Sequence, residues 1–151
     1  MKLLKIYTGN HQGFTLIEIL IVVALFALIL VAGGGVDFSI LRSSSLLEEE
    51  NRLVNILERA RELALDNIGG MSHGVQITES DYVLFEGETF DGEAETNDPI
   101  SRNQSIALSG DSTVVFESVS ANITTPVSFV LSNEVSSKEI TVDYEGRINW
   151  Q

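Results

Sequence analysis

The apolar residues of this chain are concentrated in one run near the N-terminus. Residues 16–32 are almost all apolar, and Glu18 is the single charge among them. With its flanking residues the run becomes the segment 14–36, which is long enough for a helix that crosses a membrane. The pattern therefore predicts a transmembrane helix over 14–36.

The charges around this run predict its orientation. Lys2 and Lys5 precede it, whereas Asp37 is the first charge beyond it. Because Lys and Arg accumulate on the cytoplasmic side, we expect a cytoplasmic N-terminus and an outer C-terminal region. A buried core helix is disfavoured, since so small a chain cannot cover a helix that is apolar all round. An ordinary signal peptide cut near Gly34 is the alternative, although its apolar core usually spans about 7–15 residues.

A second, amphipathic helix is predicted from about Leu46 to Asp66. Its apolar residues recur at helical spacing on one face, namely Leu46, Leu53, Leu57, Ala60 and Ala64. Its polar residues lie mostly on the opposite face, namely Glu48, Asn51, Arg52, Asn55, Arg59 and Glu62. We expect the region 37–68 to continue the first helix and to pack one side on a domain.

Three glycines, Gly33, Gly34 and Gly35, separate the two predicted helices. Each glycine destabilises a helix by about 1 kcal/mol relative to alanine. They are interpreted either as a flexible helix joint or as a simple end of the membrane span.

The remaining region, 69–151, predicts a β-rich head. Gly69 and Gly70 end the helix, and short stretches rich in β-branched and aromatic residues follow. The predicted strands are 74–78, 82–86, 104–108, 113–117, 127–132, 139–144 and 147–150. Glu145-Gly146 predicts a tight turn, and 87–101 predicts a long acidic loop. The fold class is therefore α+β, with a long N-terminal helix followed by a sandwich-like antiparallel head.

Composition narrows the possible functions. The formal net charge is −13 and the chain has no cysteine. Disulfides and thiol chemistry are excluded, and direct binding of nucleic acid through a broad basic face is not expected. His11 and His73 have no second histidine or cysteine to form a transition-metal site. Because no catalytic cluster is present, we do not expect an enzyme.

The most specific pattern is Gly-Phe-Thr-Leu-Ile-Glu over residues 13–18, which follows a basic leader. It is similar to the processing signature of type IV prepilins and pseudopilins. The resemblance implies that a prepilin peptidase removes the leader 1–13 by cutting after Gly13 and that Phe14 is then N-methylated. It also implies a single-pass protein of the bacterial inner membrane that enters a filament. Its partners would be other pilins or pseudopilins and an inner-membrane assembly platform.

The chemistry of these residues fits the implied roles. Gly13 has no side chain, so the backbone there can enter a peptidase cleft. A carboxylate such as Glu18 is unfavourable in a membrane by about 2.5–3.5 kcal/mol at a helix centre and by less near its end. The amine of Phe14 from one subunit could neutralise Glu18 of its neighbour and so set the axial register. Alternatively, Glu18 is an acid near a helix end that has no partner.

A second, looser resemblance involves residues 58–64 and the predicted strand residues 75–77. They are similar to H-type minor pseudopilins and FimT-like minor pilins, which implies a minor subunit of a type II secretion system or a type IV pilus. FimT-like proteins that bind DNA use basic residues near the C-terminus. Here Arg147 is the only basic residue after Lys138, which departs from that pattern.

The acidic loop is a weak candidate for a calcium site. Its ligands would be Glu88, Asp91, Glu93 and Asp98, but their spacing does not match the twelve-residue calcium loop. A solvated acidic loop is the favoured interpretation, and no other cofactor is predicted. The alternative function for the whole chain is an exported acidic β-domain that binds a ligand after an ordinary signal peptidase has released it.

Overall fold

The computed structural model describes residues 13–33 and 38–150. The chain divides into two compact units, Met1–Asp37 and Phe38–Gln151. The predicted joint residues Gly34 and Gly35 and most of the leader lie outside the described residues.

The first unit contributes helix α1, Leu16–Gly33. Every described side chain from residue 14 to residue 31 is exposed. Among the described residues, no helix combines the length and the apolar character needed to cross a membrane.

The second unit begins with helix α2, Phe38–Leu65, which starts well before the predicted Leu46. The three serines at 43–45 lie inside this helix rather than ahead of it. Serine lowers helix stability only modestly, so a short serine run does not stop a helix that packing stabilises. The C-terminal end matches the prediction more closely, because Asn67 and Gly69 adopt left-handed backbone conformations just beyond it.

The described part of the second unit continues with a 3₁₀ turn, Ile68–Gly70, and eight strands. The strands are β1 His73–Ile77, β2 Asp81–Glu86, β3 Asp98–Ser101, β4 Ala107–Gly110, β5 Thr113–Phe116, β6 Val127–Ser132, β7 Ser137–Val142 and β8 Ile148–Trp150. They form two four-stranded antiparallel sheets, in the orders β3-β2-β1-β5 and β4-β6-β7-β8.

One face of α2 packs against strands of both sheets. The five apolar residues predicted for that face are all buried. They share one core with buried side chains of the two sheets, among them Val75, Tyr82, Phe129 and Ile140. The α+β class and the antiparallel head are thus confirmed.

The main strand-level error lies in the predicted loop 87–101, which ends in strand β3. The loop was predicted from its many acidic residues. Strand β3 contains Pro99, and proline cannot donate a ladder hydrogen bond. Strand β3 is an edge strand, and an edge tolerates proline. The prediction 104–108 was also displaced, since β4 runs over Ala107–Gly110.

Candidate functional site: the start of helix α1

The residues around the predicted cleavage point form the start of α1. Gly13, Phe14 and Thr15 precede the helix without regular structure. The Thr15 carbonyl oxygen accepts hydrogen bonds from the amides of Glu18 at 3.1 Å and Ile19 at 3.3 Å. The Thr15 hydroxyl also accepts one from the Glu18 amide at 3.3 Å. Thr15 is therefore the N-cap of α1.

Sequence reasoning missed this cap, although a signal for it was present. A threonine followed three residues later by a glutamate is the spacing of a capping box, and Thr15 and Glu18 have it. The motif residues therefore have a local role that depends on no partner. They fix where the helix begins, two residues beyond the predicted cut.

The bond after Gly13 lies in open surroundings. No heavy atom of the described chain lies within 4 Å of the position that a Cβ atom would occupy on Gly13. Phe14 is 81% exposed. Packing among the described residues thus does not require glycine at position 13.

Glu18 occupies the first turn of α1, where the helix dipole favours a negative charge. Its carboxylate has no hydrogen bond or ion pair within the described ranges 13–33 and 38–150. The structure therefore leaves this carboxylate available to an external partner. Gly33 is the last residue of α1.

Helix α1 is apolar on all sides and exposed throughout its described side chains. Leu16 is 78% exposed at one end and Val31 is 83% exposed at the other. Soluble proteins rarely leave a continuous apolar surface of this kind uncovered.

The comparisons with known proteins point to the same segment. A family profile described as "Prokaryotic N-terminal methylation motif" matches residues 8–34. This match supports a type IV prepilin-like protein. No curated protein and no solved structure shows significant similarity to the chain.

The proposed calcium ligands are not brought together. Asp98 begins β3 and forms an ion pair with Arg59 at 2.9 Å, while the Asp91 carboxylate accepts the amide of Glu93 at 3.1 Å. Glu88 lies beside a groove at strand β5. Across the described residues, no three or more His, Asp or Glu side chains form a group that could hold a metal ion.

The head contains a buried carboxylate that the sequence analysis did not predict. Glu49 of α2 accepts hydrogen bonds from the Tyr82 hydroxyl at 2.9 Å and the Asn103 amide at 3.0 Å. The Arg52 Nε lies 3.6 Å from its other oxygen. Burial, followed by the charge and hydrogen bond of Glu49, raises the pKa of Tyr82 well above its ordinary value, and Arg102 opposes this only in part.

Two further buried polar groups have weaker partners. Glu50 lies 3.7 Å from the Lys138 ammonium, and His73 lies 3.9 Å from Glu86. His73 lies just ahead of the predicted strand 74–78, but in the structure it is the first residue of β1 and is buried. Helical spacing from Leu46 could have shown that positions 49 and 50 lie on the buried face of α2.

The C-terminal hairpin neutralises the basic residue that the sequence singled out. Arg147 forms ion pairs with Asp143 at 2.9 Å and Glu145 at 2.8 Å. Desolvation acts to raise the pKa of Asp143. Hydrogen bonds from the Arg147 backbone and side chain, together with the charge of Arg147, outweigh it and hold this pKa below its usual value. Trp150 lies on edge strand β8 and is half-exposed.

Proposed function

We propose that this chain is a minor, non-enzymatic pilin or pseudopilin subunit. A prepilin peptidase cuts after Gly13 and Phe14 is N-methylated. Helix α1 then anchors the subunit in the inner membrane before assembly and lies in the filament core afterwards. The head faces the outside, and the filament belongs to a type II secretion system or a type IV pilus.

One observation carries this proposal. The methylation motif matches residues 8–34, and within that range the Gly13–Phe14 bond stands open just ahead of a capped helix. A peptidase needs an extended, accessible backbone, and a membrane or filament needs a helix that is apolar on every side. The open surroundings of Gly13 and the exposed apolar side chains of α1 both support this proposal.

Glu18 has the position and the freedom needed to pair between subunits. Its carboxylate lacks a partner in the described chain, and processing creates a free amine on Phe14. In a low-dielectric filament core an unpaired charge is strongly unfavourable. We therefore assign Glu18 the role of setting the axial register by pairing with the amine of a neighbouring subunit.

The cleavage site is tested by intact-mass analysis of the full chain made in cells with and without a prepilin peptidase. The wild-type chain should gain a methylated Phe14 terminus only when the peptidase is present. Gly13→Val should block cleavage, because a side chain there would hinder entry of the backbone into the peptidase cleft. It should leave the described fold undisturbed, because a Cβ atom at position 13 has no described neighbour within 4 Å. Gly9→Val, a matched change in the leader, should still be processed.

Two results would contradict the processing proposal. One is a terminus near Gly34 that forms without the peptidase, which would establish the exported, freely soluble β-domain instead. The other is normal processing of Gly13→Val, which would show that the peptidase does not require glycine there.

Register is tested separately with Glu18→Gln and the control Glu48→Gln, whose site on α2 is exposed. The Glu18 variant should be cleaved normally but enter filaments at least tenfold less efficiently, as measured by sheared-filament yield. Equal incorporation of both variants would remove the register role and leave Glu18 only its place in the helix cap.

A further inference from the structure

The outer edge of strand β5 has free hydrogen-bonding groups. In an antiparallel pair, residues alternate between those that bond to the neighbouring strand and those whose backbone groups point away. Ile77 donates its amide to the Ser112 carbonyl at 2.7 Å, which fixes this alternation for β1 and β5. By the register of the pair, Val114 bonds to β1, whereas Thr113 and Val115 point their N–H and C=O groups outward.

These outward groups have no backbone or side-chain partner in the part of the chain that the structure describes. They face a groove of about 480 Å³. Thr124 and Thr125, in an irregular segment before β6, also line this groove. The groove thus lies along a strand edge whose hydrogen-bonding capacity is unused.

The opposite edge of the same sheet is protected. Arg102 donates its amide to the Ser80 carbonyl at 3.0 Å, which places Pro99 among the outward positions of β3 by the register of that pair. Proline has no N–H to offer, and it is a common device against strand addition. Strand β5, with the sequence Thr-Val-Val-Phe, contains no proline and no charge.

The charge of the groove restricts what can occupy it. Glu88 and Glu117 line it, and no lysine or arginine does so among the described residues. The whole chain has 22 acidic and 9 basic residues, so a second copy would bring further negative charge to a negative groove. A segment with lysine or arginine side chains is electrostatically favoured.

We infer that the β5 edge, Thr113–Phe116, binds an extended basic segment of a partner protein by strand addition. Main-chain hydrogen bonds to Thr113 and Val115 would supply affinity, and Glu88 and Glu117 would select basic side chains. This interaction belongs to the head and does not depend on processing after Gly13, so the two proposals fail independently.

The test uses the full chain in detergent micelles and the hexapeptide acetyl-Lys-Val-Thr-Val-Thr-Lys-amide. Amide NMR shifts should change at Thr113 and Val115 when this peptide is added. A peptide with glutamate in place of lysine should bind at least tenfold more weakly. A peptide N-methylated at alternate residues should also lose at least tenfold, because it cannot donate along the strand.

Matched variants locate the contact. Val115→Pro removes an outward N–H and keeps the bonds to β1, so peptide affinity should fall at least tenfold. Val115→Thr keeps that N–H and should bind normally. Thr125→Lys places a positive charge in the groove without altering β5, and it should weaken binding even if the proline variant does not fold.

Several outcomes would overturn the inference. Shifts confined to other strands would place the peptide elsewhere, and equal affinity for the two peptides would remove the basic specificity. A cross-linked dimer joined through β5 of both copies would make the occupant a second copy of this chain. Unchanged binding to Thr125→Lys would show that the groove is not the site.

Discussion

Helices α1 and α2 differ in where their apolar side chains lie. The apolar side chains of α1 are exposed at every described position, whereas Leu53, Leu57 and Ala60 of α2 are fully buried against the two sheets. The stability of α2 therefore comes from packing inside the chain. The described side chains of α1 are not part of that core.

The same contrast separates Glu18, in the first turn of α1, from Glu49, further along α2. Glu49 is buried, accepts two hydrogen bonds and lies beside an arginine. Glu18 has no side-chain partner within the described ranges. One carboxylate is satisfied by folding, whereas the other stays exposed and without a side-chain partner in the described residues.

The largest expected effect on stability comes from a substitution that tests the difference in packing between α2 and α1. Leu57→Ala leaves a cavity in the shared core and should lower the free energy of unfolding by about 3 kcal/mol. Leu28→Ala on α1, where the side chain is 66% exposed, should leave it unchanged. Denaturant unfolding of the full chain in micelles, followed by Trp150 fluorescence, measures both. Equal losses would mean that the head does not fold independently of α1.

The next effect concerns the buried carboxylate. Tyr82→Phe removes one donor to Glu49 and should destabilise the head by about 2 kcal/mol. Tyr144→Phe, at an exposed position, is the control and should have little effect.

The Tyr82 site also predicts a pH dependence. Because the pKa of Tyr82 is raised by folding, its hydroxyl ionises in the unfolded chain first, above about pH 10. The stabilisation is therefore complete below that pH and is lost as the pH rises through the folded-state pKa. Denaturant unfolding between pH 9 and pH 12 should show a steeper decline for wild type than for Tyr82→Phe. Parallel declines would contradict the assignment.

A smaller loss of stability is expected from adding a methyl group at a glycine of the head, compared with a glycine ahead of α1. A methyl group on Gly74 would lie 2.7 Å from the Val114 carbonyl oxygen and 2.5 Å from the Phe85 ring. Gly74→Ala should therefore cost about 1–2 kcal/mol through overpacking. Gly13→Ala meets nothing and should leave the unfolding midpoint unchanged. A neutral Gly74→Ala would show that β1 can shift to accept the methyl group.

The smallest effect is at the exposed hairpin. The lowered pKa of Asp143 means that its stabilisation is present above about pH 4 and is lost as the pH falls through the folded-state value. Asp143→Asn should thus lower the melting temperature slightly at pH 7 and not at all in strong acid. Asp66→Asn, whose exposed carboxylate has no partner in the described residues, is the control. A difference that persists in acid would point to the turn geometry rather than the charge.

The sequence predicted best where a single pattern controls the structure. The buried face of α2 follows from helical spacing, and β6 was predicted at its observed bounds, Val127–Ser132. Strand β3 was missed because its pairing with β2 depends on partners distant in sequence. The burial of Glu49 was missed because residue type was weighed above its position on the helix.

The candidate sites also differ in how far a local pattern can predict them. The sequence identified Gly13, Phe14 and Glu18 from one local motif, and the profile match covers them. It could not show that the β5 edge is free, since that depends on the register of β1 and β5. Which edge of a sheet stays unpaired is decided by the whole topology rather than by any one segment.

The cap at Thr15 has a consequence for the order of events in the life of the protein. Among the described residues, the first hydrogen-bond acceptor of α1 is Thr15, which lies beyond the proposed cut after Gly13. A cut after Gly13 would therefore leave every described helix and strand intact, from α1 to β8. If the chain is processed as proposed, the change can be made before or after the head has folded, because it removes none of these elements.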